Sequence, residues 1–135
     1  MEYTCEQKTT PQPKTTSLLN AFYTAASVVG TLPYIWVAGI MLLAIRAKAY
    51  LGYWPSPNHP DPQFVPFDLH QELLAKMLFA LLWSLALMPI LYLGSRWILK
   101  TKLGRSPLYA YILGWAIIMV MIFVPGINFV AWFLD

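Results

Sequence analysis

The chain has 135 residues, 59% of them hydrophobic and only 11% charged, with a net charge of +3. A soluble domain carries about 25% charged residues, so this composition cannot cover a globule with polar side chains, and the length holds one domain at most. The basic residues stand at the ends of apolar runs, not in an interleaved patch, which argues against nucleic acid and sets lipid headgroups beside them. Cys5 is the single cysteine, which removes internal disulfides and cysteine-based metal sites and reads as an inert terminal thiol.

Residues 1–16 are polar, carry Pro11 and Pro13, and read as a loose N-terminal tail. Ser17 to Ile45 follows as an uncharged run. A bilayer core needs about 20 apolar helical residues, so the run is long enough to span with tilt. It is too long for the apolar core of a secretory signal, although Ala47-Lys48-Ala49 mimics a cleavage site, and it reads as a retained helix. Pro33 within it predicts a kink or local opening. Asp68 with Gln71 three places on predicts a capping box at the start of a second helix. The apolar stretch from Leu73 to Leu93 follows, interrupted by Pro89 and carrying Lys76 one turn inside. A short basic segment, Lys100 to Pro107, leads to a third start with Ser106 as N-cap and Pro107 at the first helical position. Pro125-Gly126 breaks or bends this last run, and the remainder to Asp135 continues either as helical turns or as an interfacial segment.

The fold class expected is therefore an all-α integral membrane protein. It has three transmembrane helices, spanning about 17–45, 72–99 and 107–134, in a single membrane domain covering 17–135. Small residues four apart let helix backbones approach closely in lipid. Such pairs stand at Ala21/Ala25, Ala26/Gly30, Ser27/Thr31, Ala80/Ser84 and Ala110/Gly114. Lys8, Lys14, Arg96, Lys100, Lys102 and Arg105 fall on one side of the membrane, and Arg46, Lys48 and Lys76 on the other. Positive residues stay inside, so the N-terminus is expected in the cytoplasm and the C-terminus outside.

Little chemistry is legible within the spans. Pumps and transporters keep ionisable groups in mid-membrane. Here Lys76 is the nearest, and it lies close enough to a helix start to snorkel. The serines and threonines form no hydrolase elbow, and no phosphate-binding glycine loop is present. The polar set of the loop, His59, Asp61, Asp68, His70 and Glu72, fits no metal-ligand spacing. No catalytic or metal-binding residue is assigned, and no tightly ligated cofactor is expected.

The loop between the first two spans, residues 46–71, is the unusual segment. Five prolines between Pro55 and Pro66 stiffen it into a strap, and Tyr53, Trp54, Phe64 and Phe67 add aromatic bulk. Those four aromatics are the candidate partner-binding residues. The alternative places for them are the headgroup belt and the outer ends of the chain's own helices. "LGYWPSPNHPDPQ", from Leu51 to Gln63, resembles a pattern in small uncharacterised bacterial membrane proteins: Leu-Gly-x-Trp-Pro, then Pro-Asp-Pro and a polar or basic residue. Gln63 departs from the lysine often found there. The resemblance implies bacterial origin and a structured loop, and it brings no established activity to transfer.

The reading that follows is a non-catalytic accessory or scaffold subunit of a larger membrane complex of respiratory or photosynthetic type. Its partners would be other integral membrane subunits and the lipid bilayer, with lipid, quinone or pigment as candidate contacts. The rival is a small homo-oligomeric transporter or channel lined by Ser27, Thr31, Ser84 and Asn128.

Overall fold

A computed structural model describes residues 14–57, 65–98, 100 and 102–135. Four helices follow one another: α1 (Lys14–Leu51), α2 (Asp68–Ile98), α3 (Ser106–Phe123) and the short α4 (Phe129–Leu134). The first three are long and apolar enough to cross a membrane. α1 is the hub. α2 and α3 each pack along it, and α4 packs on α3 and α1.

Two helix boundaries differ from expectation, each for a local reason. α1 runs on past Ile45 to Leu51, because Arg46, Ala47, Lys48 and Ala49 are good helix formers. It ends where Gly52 adopts φ 83° and donates its N–H to the Lys48 carbonyl at 2.8 Å, a left-handed cap that glycine takes without strain. α3 begins one residue earlier than expected. Arg105 already has helical angles, and its carbonyl accepts the Tyr109 N–H at 3.0 Å, so Arg105 is the N-cap, Ser106 the first helical residue and Pro107 the second. The missing proline N–H is one of the donors that a helix start leaves unpaired in any case.

The third run does not continue as one helix to residue 134. Val124 to Ile127 forms a turn in which the Ile127 N–H donates to the Val124 carbonyl at 3.3 Å. Pro125 and Gly126 occupy its centre, with Gly126 at φ 89°, the pattern of a type II turn. α4 then tucks back, with Val130 and Trp132 fully buried. Pro33 and Pro89, expected to kink or open their helices, are accommodated within continuous α1 and α2.

Small residues set where the helices meet. A Cβ added at Gly114 would lie 2.6 Å from the Pro33 Cβ, so only glycine allows α1 and α3 this close. Beside it the Tyr34 hydroxyl donates to the Ala110 carbonyl at 2.7 Å. One helical end away, Gly30 faces the Pro107 carbonyl at 3.0 Å in the same sense. Two of the small-residue pairs in the sequence, Ala26/Gly30 and Ala110/Gly114, thus mark the α1/α3 seam. The α1/α2 seam is held differently: the buried Trp36 indole donates across to the Leu74 carbonyl at 3.0 Å.

Candidate functional site

The end of the bundle where α1 stops and α2 begins gathers the described parts of the proline-rich loop. Trp54 lies over the fold's own aromatic floor, its ring 5.4 Å from that of Phe129, with the Lys48 ammonium 4.1 Å above the indole. Phe67 is half-buried, with the Arg46 guanidinium 4.2 Å from its ring centre and the Tyr50 ring edge-on at 6.3 Å. Pro55 and Val65 are buried between these aromatics and the helices. Tyr53 is exposed, and it too makes contacts within the chain. Phe64, His59 and Asp61 lie outside the described residues. Trp54 and Phe67, two of the four candidate partner-binding aromatics, rest against this end of the chain's own helices, and Trp54 remains about half exposed.

Arg46 ties this end together. Its Nη1 stands 3.3 Å from His70 Nδ1. A guanidinium can only donate, so in this contact Nδ1 takes the acceptor role. The capping arrangement at the α2 start also departs from expectation. Gln71 reaches back past Asp68 and donates to the Val65 carbonyl at 3.3 Å, so it anchors the loop's return strand. Phe67 supplies the carbonyl that receives both the His70 and Gln71 backbone N–H groups.

This geometry suits a clamp. His70 and Glu72 are two apart on one helix and therefore face different ways. Glu72 instead pairs with Lys76 at 2.7 Å, in an exposed contact one turn along. Among the described residues no three of His, Cys, Asp and Glu converge as metal ligands. Lys76, read as a snorkelling lysine, is exposed and pairs with the Glu72 carboxylate.

Three features escaped the sequence reading. Ser84 and Tyr111 are buried in mid-membrane and joined at 2.8 Å. The serine proton goes to the Leu81 carbonyl, so the tyrosine donates to Ser84 Oγ and both hydroxyls are satisfied. Trp83 stands at the middle of α2 and is 75% exposed, beside Phe79 at 68%. Its position was legible, since an indole at the centre of an apolar run sits far from the interface that tryptophan prefers. The last is a groove between α2 and α3 that opens beneath the basic segment, and only the packing shows it.

Comparisons with protein-family models, with curated proteins and with solved structures return no match to this chain.

Proposed function

We propose that the chain is a non-catalytic accessory or scaffold subunit of a larger complex in the bacterial inner membrane, of respiratory or photosynthetic type. Trp83 carries this reading. It lies about 22 Å from either end of α2 at 1.5 Å per residue, and three-quarters of its surface is uncovered. Its indole N–H has no hydrogen-bond partner among the described residues. In hydrocarbon such a donor is unsatisfied, whereas a neighbouring transmembrane helix can supply a carbonyl or hydroxyl and cover the ring. Phe79, Leu82 and Ala86 form a shallow depression around it, a shape that a helix ridge fills.

The pore alternative draws less support. Ser27 and Thr31 return their hydroxyls to the Tyr23 and Val28 carbonyls of their own helix, and Ser84 is committed to Leu81 and Tyr111. Asn128 stands at the N-cap of α4. The proposed orientation keeps the N-terminus cytoplasmic and Asp135 periplasmic, following the excess of lysine and arginine on the N-terminal side. Native mass analysis after gentle extraction tests the subunit reading. Unlike partners that are lost in Trp83→Leu, with the chain itself still folded, support it. A single repeated mass, unchanged by the substitution, overturns it.

A further inference from the structure

α3 touches α2 through the Ser84–Tyr111 hydrogen bond, and beside that point residues of both helices line an open groove. Met88, Leu93, Leu108 and Ile112 wall a groove of about 450 Å³ that is almost wholly apolar. A second cavity of about 390 Å³ continues it, sharing Tyr92, Leu93 and Leu108 as walls. The lining of this second cavity changes character: Arg96, Lys102 and Arg105 surround it. The segment carrying the cations is anchored. Leu103 is buried, the Gly104 backbone lies against the Tyr23 ring, and the Tyr92 hydroxyl donates to the Gly104 carbonyl at 2.6 Å.

We propose that this groove binds one anionic phospholipid, its phosphate held by Arg96, Lys102 and Arg105 and an acyl chain laid along the apolar stretch towards Tyr111. Charge complementarity selects the occupant. Among the described residues, Asp68, Glu72 and Asp135 are the carboxylates, and all three gather around one depression at the opposite end of the bundle. The cations at the groove thus form no ion pair among the described residues. The outer end makes the contrast. There Arg46 is spent on Phe67 and His70, Lys48 on Trp54 and Lys76 on Glu72. A basic mouth opening on an apolar slot at headgroup depth matches a lipid with a negative head, where each nearby lysine or arginine strengthens binding. The site belongs to the single chain and does not depend on any partner subunit.

The test uses the purified full chain, stripped of lipid in detergent and then offered phosphatidylglycerol or phosphatidylcholine at equal concentration, with bound lipid read by native mass spectrometry. Phosphatidylglycerol should be retained preferentially. Its affinity should fall by about tenfold or more in Arg96→Gln/Lys102→Gln/Arg105→Gln, and should hold in the outer-end variant Lys76→Gln. Ile112→Trp, which fills the slot without altering charge, should also lower retention. Equal binding of phosphatidylcholine overturns the proposal, as does equal loss in the outer-end variant or full retention in Ile112→Trp. Inorganic phosphate that displaces the lipid as well as phosphatidylglycerol itself does would show a headgroup site with an idle groove, and would overturn it too.

Discussion

α3 makes two seams, and they are opposites. Against α1 it presents Ala110 and Gly114, and the backbones come so close that Pro33 and Tyr34 rest on the glycine and a tyrosine reaches a main-chain carbonyl. Facing α2 it carries Tyr111, which meets Ser84, and beside that contact Leu108 and Ile112 line an open groove. The lipid surroundings offer little drive to bring apolar helices together, so contact is decided by backbone approach and by hydrogen bonds. Where small residues allow both, the seam closes. Where large aliphatic chains stand alone, a lipid-sized gap remains.

The largest effect should come from forcing the closed seam apart. Gly114→Leu forces a side chain into Pro33, and we expect a loss of about 3 kcal/mol or failure to fold, read as the fraction of monodisperse protein after graded heating in detergent. A wild-type melting curve would break the comparison. Next come two indoles at the seams of α1, Trp36 on α1 itself and the partly buried Trp115 on α3. Trp36→Phe removes the donor that crosses to Leu74 and should cost about 1–2 kcal/mol. Trp115→Phe should cost less, because its Nε1 is buried without a partner among the described residues and the substitution removes that donor. Equal costs in denaturant titrations would show that packing alone holds the α1/α2 seam. Ile112→Ala lies on the open side of α3, and the side chain is more than half exposed, so its effect on thermal stability should stay below about 1 kcal/mol. Smallest of all, Lys76→Gln loses a surface pair with Glu72 and should shift stability by no more than about 0.5 kcal/mol, with membrane level and assembly unchanged on a native gel.

Much of the fold was legible because the bilayer imposes it. An uncharged run such as Ser17 to Ile45 has no other stable home, and the pairs Ala26/Gly30 and Ala110/Gly114 fall on the seam that small residues permit. Ala21/Ala25 and Ala80/Ser84 share that spacing, yet Ala21 and Ala80 are exposed, since spacing alone does not say which face meets a neighbour. The type II turn after Val124 could be read from Pro125-Gly126, but whether the chain beyond it would extend α3 or fold back depended on Trp132 finding a buried site. The candidate site was less legible. Prolines and aromatics between Tyr53 and Phe67 signalled a stiff loop, but nothing in their order tells that Lys48 and Arg46, at the end of the preceding helix, would turn onto Trp54 and Phe67. The groove at Arg96, Lys102 and Arg105 arises from a gap between helices, which no local pattern encodes.

The helices are also unequal in reach. With 38 residues α1 rises about 57 Å and with 31 residues α2 about 46 Å, whereas the 18 residues of α3 rise only about 27 Å, against a hydrocarbon layer of about 30 Å. The two long helices can absorb a thicker membrane by standing more upright, but α3 is fastened to α1 at Gly30 and Gly114 and ends at a fixed turn. The cost of hydrophobic mismatch therefore falls on this one element, and the bilayer beside it must thin to meet it. Lengthening the acyl chains of the host membrane would strain the molecule first along the α3 flank, the same flank on which the groove opens.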